Sequence, residues 1–392
     1  MRQFVEAGAS VEQEKTFAKR EEFHRRLRGK ELIEGFAYND GTDFVTRPYW
    51  PLEPKNKMKP HLWRWKEVRK LVIECGEMVG LGRGGQNYDR RVLALTNPGA
   101  AGDFTMTGPL FGDIQLIRPG ESAPCHRHTP CATRFILEGS GGWTTIAGDR
   151  MNVKPGDIVY TGQFPWHDHG NAGKDDFIFL DVLDIPLLFF TGTSAWEFDY
   201  EPVTGSKQEV NQPAHVTDFP NERYVQSHLR PTFKTGWKRN TADFAHLSWS
   251  DARRSLEQLG TEKGSSYDGI RLELHNTDGG PVGTTVSVHT QWIRPKEKTL
   301  SHRHTGAFAY ICTEGKGKVQ IEDQVMEFGP RDIFVIPSWH WHSFESQEGC
   351  FLHSISDLAL IRKMKLYREQ RKDSEGKVTD SGWTDVAEPF EL

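Results

Sequence analysis

Cysteine is scarce in this sequence, and what there is builds no framework. The 392 residues contain five cysteines, Cys75, Cys125, Cys131, Cys312 and Cys350, an odd number with no CxxC pair. That excludes a disulfide scaffold and a cysteine-rich zinc site. Long apolar runs are missing as well. The most apolar stretch, FIFLDVLDIPLLFF from Phe177 to Phe190, is interrupted by Asp181 and Asp184, whereas a bilayer span needs about 20 apolar residues. It reads as buried strand. The first thirty residues are charged and lack the apolar stretch of a signal peptide, so the expected compartment is the cytoplasm. Positive charge is not in excess either: 49 Lys and Arg face 54 Asp and Glu, a net of −5. No nucleic-acid or anionic-membrane partner is expected from that balance.

What the chain does have is a repeat. IRPGESAPCHRHT begins at Ile117 and IRPKEKTLSHRHT at Ile293, an offset of 176 residues that brings His126 onto His302 and His128 onto His304. Glu138-Gly139 falls on Glu314-Gly315 at the same offset, and one residue less aligns KPGDIVYTGQFPWHDH with GPRDIFVIPSWHWHSF, placing His167 on His342. RVLALTNPG (91–99) echoes RLELHNTDGG (271–280) more loosely. Rare residues coinciding over this length indicate duplication of a domain-sized unit.

Within each unit, period-two apolar runs are broken by Gly, Pro and Asp, strand after strand without an intervening helix. The expected fold is mostly β, with two antiparallel barrels or jelly rolls. Helical spacing lies outside the units, at 12–28, 61–78, SDARRSLEQLG (250–260) and LALIRKMKLYREQRK (358–372). The expected divisions are an N-terminal helical arm at 1–89, a first barrel at 90–190, a connector at 191–265, a second barrel at 266–358, and a C-terminal helix and tail at 359–392.

Histidine carries the chemistry. In a strand, residues i and i+2 share a face, so His126-Arg127-His128 aims two imidazoles together, and His302-Arg303-His304 does the same. His167 and His342, about 40 residues further on, can return beside them on a neighbouring strand. Three converging imidazoles suit a divalent transition metal with open coordination positions. No Asp or Glu stands four or five residues beyond either pair, where Ala132 and Thr133, or Phe308 and Ala309, are found. A three-histidine set keeps the full charge of the ion and leaves room for an anionic chelating ligand and O₂.

These residues resemble the cupin superfamily and, within it, the bicupin gentisate 1,2-dioxygenase-like group, which includes salicylate and 1-hydroxy-2-naphthoate 1,2-dioxygenases. The resemblance runs from about Arg90 to Asp357 and is strongest in RRVLALTNPG, HRHTPCATRFILEG, PWHDHGN and LDVLDIPL. It implies two cupin (jelly-roll) domains with flanking helices, commonly in a homotetramer. It implies an Fe(II) ion on His126, His128 and His167, with Arg90 and Arg134 on the substrate carboxylate, Gln115 as a further pocket residue, and His169 and Asp181 as catalytic candidates. The implied substrates are a small aromatic 2-hydroxy acid and O₂, the ring opening between the carboxyl- and hydroxyl-bearing carbons. A guanidinium suits the carboxylate because its rigid fork matches that shape. For Arg134 the competing reading is an internal salt bridge, and for Asp181 it is a partner that orients another side chain.

Two positions depart from the group. Phe111 stands where gentisate enzymes carry Tyr and the salicylate relative Trp, and Asp113 stands where Gly or Ala is usual, which places the choice of ring at these residues. In the second unit His302, His304 and His342 form a full set, but Tyr310 replaces Arg134 and Phe344 replaces His169. The expectation there is a second metal without substrate-binding groups, or a barrel whose histidines only pack. Two other function classes compete with the dioxygenase. A manganese or zinc cupin isomerase or decarboxylase is disfavoured by the missing glutamate and the paired arginines. A non-catalytic metal-binding bicupin is disfavoured by the His167-Asp168-His169 run with Arg90 and Arg134.

Overall fold

In the computed structural model, residues 11–32, 53–81, 87–88, 90–100, 102–147, 149–198, 244–276 and 279–383 are described. They fall into two units, 1–55 and 56–392. The first contains the helix Val11–Arg28, in line with the helical spacing of that segment. The second holds both barrels.

Each barrel is two facing antiparallel sheets. In the first, one sheet orders the strands Phe244–Leu247, Ile158–Thr161, Ala132–Glu138, Phe177–Leu183, Phe111–Ile117 and Val92–Ala94. The other orders Trp196–Glu197, Ser122–His128, His167–Asn171, Gly142–Ile146 and Asp149–Asn152. The second barrel repeats the plan around Ser287–Ile293, His302–His304, Phe308–Gly315, Ile333–Ile336, His342–Ser346 and Cys350–Ser356.

Alternation decides what each strand contributes. Along Phe111–Ile117 and Phe177–Leu183, Ile114, Leu116, Ile178, Leu180 and Val182 join one apolar cluster with Val286, Val288, Ile311, Val335 and Ile355 of the second barrel. Ile117, Phe177 and Phe179, of opposite parity, pack inside the first barrel with Ile136, Val159 and Met151. Both faces of this sheet are therefore buried, which explains its near-continuous apolar sequence. Asp113, Gln115 and Asp181 share the inward parity, and Asp181 pairs directly with both Asp113 and Arg134.

The repeated Glu-Gly has a backbone cause. Gly139 and Gly315 have φ of 98° and 80°. A Cβ there would come within 2.5 Å of the Asp176 carbonyl oxygen and 2.2 Å of that of Gly349. Only glycine satisfies both constraints.

The flanking segments differ from the expected pattern. His61–Trp63 is a strand, and the helix begins only at Trp65, ending at Met78. That strand pairs with Ile333–Ile336 of the second barrel, while Phe244–Leu247, from the expected connector, pairs with Ile158–Thr161 of the first. Each leads into a helix whose first backbone N–H is capped by a repeated aspartate. Asp332 accepts from Trp65 N at 2.8 Å, and Asp157 from Trp249 N at 2.8 Å. The helices Trp65–Met78 and Trp249–Gln258 then contact Phe111–Ile117 and Ser287–Ile293 respectively. At the C-terminus the helix stops at Lys363; Lys365 is left-handed, with φ 59°, and Glu369–Lys372 is a strand beside His302–His304. The apolar spacing of 358–372 thus overstates that helix, and the apolar stretch 177–190 is buried strand only over Phe177–Leu183, Ile185–Phe190 being a helix with no buried residue. The rest of the expected connector, 199–243, and the tail from 384 lie outside the described residues. Among the described residues no helix is long and apolar enough to cross a membrane.

Candidate functional site

His126 and His128 point the same way from Ser122–His128, and His167 sits directly opposite His126 in the antiparallel ladder. All three are buried, and one ring nitrogen from each lies within 4.8 Å of the others. The strand period and the register build the cluster. Nδ1 of His128 donates to the Pro130 carbonyl at 2.7 Å, and Nδ1 of His167 to the Pro165 carbonyl at 2.9 Å. These bonds fix the tautomers that leave Nε2 as the lone-pair nitrogen. Nε2 of His167 is buried without a partner. Burial lowers His126 and His167 well below the ordinary imidazole range and His128 to about 3. Neutral, preoriented imidazoles are the form a divalent metal requires.

The second barrel repeats this. His302 faces His342 across the ladder, and His304 completes a buried group of three within the same 4.8 Å. Nδ1 donates to Glu369 Oε1 from His302 (3.0 Å), to the Thr305 carbonyl from His304 (3.2 Å) and to the His340 carbonyl from His342 (2.9 Å). All three Nε2 atoms are buried without a hydrogen bond, that of His302 lying 3.8 Å from Asp268 Oδ1. Such a trio costs free energy unless a cation fills it, so both donor sets fit a metal. His340, close by in sequence, donates to the Ser338 carbonyl and stays outside the trio.

Around the first trio, the Arg90 guanidinium donates to the Pro124 carbonyl at 3.0 Å and lies against the ring of His126. His169 is buried, with Nδ1 2.9 Å from the Thr144 hydroxyl. Arg134 is buried and already engaged: it reaches Asp181 at 3.2 Å and Thr161 at 2.8 Å. Gln115 donates to the same Asp181 oxygen at 3.4 Å. Asp113 is buried beside Asp181 with Oδ1 unpartnered. Burial, then the Asp181 charge, raises Asp113 well above the usual carboxylate range. Burial raises Asp181 too, against the pull of Arg134 and Arg90. Phe111, half-buried, opens the same strand.

A cupin-domain family model matches residues 113–183 and 290–355. The gentisate 1,2-dioxygenase 1 of Aquipseudomonas alcaligenes is 31% identical over 90% of this chain and 96% of its own length. The chain belongs to the gentisate 1,2-dioxygenase family of bicupins. A 5-aminosalicylate 1,2-dioxygenase from Comamonas sp is 29% identical over 84% of each chain. The crystal structure of salicylate 1,2-dioxygenase from Pseudoaminobacter salicylatoxidans with gentisate adducts superposes with a TM-score of 0.77 at 25% identity, covering 95% of this chain and 97% of that one.

For this gentisate dioxygenase-family bicupin, several residues around the trios escape a reading by repeat. Trp196, on a two-residue strand paired with Arg127 and His128, stacks on His126 (centroids 6.0 Å) and lies tilted against His128 (4.4 Å). Its only sequence signal is an aromatic in a polar stretch. Glu369 lies beyond the duplicated unit, yet it backs His302. Burial alone would raise its carboxyl, but bonds from His302 and Arg371 hold it well below the usual range. Glu369→Gln is expected to lower metal affinity at the second trio by about 10–100-fold, the usual effect of losing such a partner, and to leave the first trio unchanged. Chelator competition on the purified protein measures both; equal losses at the two trios would remove Glu369 from this role.

Proposed function

We propose that the first barrel is an Fe(II)-dependent centre that opens the ring of a 2-hydroxybenzoate, gentisate or a ring-substituted salicylate, between the carboxyl- and hydroxyl-bearing carbons. The observation that carries this is a three-histidine donor set, free of carboxylates, with two arginines beside it. Fe(II) on His126, His128 and His167 would supply the chemistry of O₂ activation and of chelation by a 2-hydroxy acid. The remaining work falls to the chain's own groups. Arg90 and Arg134 hold the substrate carboxylate, Arg134 turning part of its fork from Asp181. Asp181 and Gln115 keep that fork oriented. His169, neutral through burial and positioned by Thr144, donates or accepts a proton beside the reacting atoms. Trp196 covers the histidines from the open side.

Anaerobic reconstitution with Fe(II), followed by O₂ uptake and ring-opening absorbance across a panel of 2-hydroxybenzoates, tests the reading. Metal uptake without O₂ consumption on any member of the panel would make this a non-catalytic metal-binding bicupin. The homotetramer implied by the family likeness belongs to the same proposal, and Phe189 and Phe190, 78% and 88% exposed, are apolar surface that it would cover; sedimentation velocity decides.

The choice of ring is placed at Asp113 and Phe111. A buried carboxyl held well above the usual range by burial, with an unpartnered oxygen, suits an amino or hydroxyl substituent on the ring, as in gentisate or 5-aminosalicylate. Asp113→Gly is expected to shift the ratio of kcat/KM between these acids and salicylate by about 1–3 kcal/mol, the size of one pocket contact. A loss equal for all acids would turn Asp113 away from the substrate.

A further inference from the structure

The duplicated pattern predicts no substrate-binding groups in the second barrel, because Tyr310 and Phe344 replace Arg134 and His169. The structure supplies others. A cavity of about 540 Å³ opens onto His302 and His304, within the size range of small-molecule sites. Its guanidiniums come from outside the matched positions. Arg271 pairs with Gln291 as Val92 pairs with Gln115, so the ladder puts it in the place that Val92 holds in the first barrel. It stands at the cavity wall, over the Phe308 ring at 4.8 Å. That ring touches His304 (5.1 Å) and His289 (5.7 Å). Arg362 comes from the C-terminal helix.

Charge and polarity define the occupant. Asp268 pairs with Arg271 at 3.0 Å, Glu273 with Arg362 at 3.0 Å and Glu369 with Arg371 at 2.9 Å. Asp268 Oδ1 also lies 3.8 Å from His302 Nε2; with Lys363 on the wall beside the three pairs and a divalent ion on the histidines, positive charge is left for a ligand anion to meet. His289, 3% exposed, lines the cavity with an unpartnered Nδ1, and Arg362 Nε is unpartnered too. Leu272, Pro281, Leu358 and Ala359 give the wall an apolar part. We infer that the second barrel is a separate ligand-binding site, in which a metal on His302, His304 and His342 and the side chains of Arg271, Arg362 and His289 take a small organic carboxylate with an apolar body. This rests on the reading of the second trio as a metal site.

The test uses the full-length His126→Ala protein, which lacks the first centre, loaded with cobalt(II) and titrated with salicylate as the probe. Cobalt content and the visible cobalt spectrum are read separately. The expected result is bound cobalt whose spectrum shifts saturably with salicylate. Arg271→Gln and Arg362→Gln, each added to this background, should weaken the shift at least about tenfold, as loss of a charged contact does, with cobalt content kept. His126→Ala combined with His302→Ala should show neither cobalt nor shift. Bound cobalt with a spectrum indifferent to salicylate overturns the ligand site and leaves the metal reading standing. Absence of cobalt overturns both. His128→Ala replaces His126→Ala if the latter does not fold.

Discussion

Replacing His167 by alanine is expected to empty the first centre and abolish ring cleavage. His167 is fully buried, and its Nε2 is held towards the other two imidazoles by the Pro165 carbonyl. Two remaining imidazoles do not retain a labile divalent ion. Turnover should fall by more than about 10³-fold, or about 4 kcal/mol of barrier. His126→Ala should act alike, because the ladder sets the two residues opposite each other, with ring centroids 4.3 Å apart. Elemental analysis should show metal lost from the first barrel alone, the second keeping its own trio. Near-normal turnover with full metal content in either variant would move the active site elsewhere.

The second large effect belongs to Arg134. Arg134→Met keeps the volume of the side chain but leaves the Asp181 carboxylate buried without its cation. Breaking a buried pair from one side costs about 3–5 kcal/mol, and a urea titration should show it. Removing both charges, in Arg134→Met with Asp181→Leu, should recover most of that loss. The pH dependence has a definite sign. Without Arg134 the folded-state pKa of Asp181 rises further above its unfolded value of about 4. A raised carboxyl contributes stability below its unfolded pKa and loses it as pH climbs towards the folded one. The deficit is therefore smallest in acid and largest at neutral pH. Both variants should also weaken every 2-hydroxybenzoate alike, since the carboxylate is common to all of them. A loss confined to one ring type would exchange the roles assigned to Arg134 and Asp113.

The two histidine trios were legible because strand periodicity and duplication are local properties, written in HRH and its recurrence at 176 residues. The jelly-roll class was legible for the same reason. What surrounds the trios was not, because it depends on pairing over long separations. Glu369 lies 67 residues from His302, and no spacing rule joins them. Trp196 reaches His128 through a two-residue strand too short to carry a pattern. Arg271 sits in an echo of Arg91, but the ladder register puts it in the place of Val92, on the opposite face of the strand. Residues 358–372 misled in a different way: their apolar spacing continues past Lys365, where the left-handed backbone ends the helix.

The crossed pairing of His61–Trp63 and Phe244–Leu247 has a historical consequence. In sequence each strand and its helix precede one barrel; in space each strand completes the sheet of the other. A single-barrel ancestor assembled as an arm-exchanged dimer would give this geometry once two copies were joined end to end. Exchange also ties synthesis to closure. The strand made first waits for Ile333–Ile336, so the second barrel's sheet is completed only after nearly the whole chain exists. Splitting the gene in the connector would leave each product with an orphan sheet edge and a bare apolar face, both invitations to aggregate. Co-expression of the two halves should restore a soluble complex that neither half forms alone.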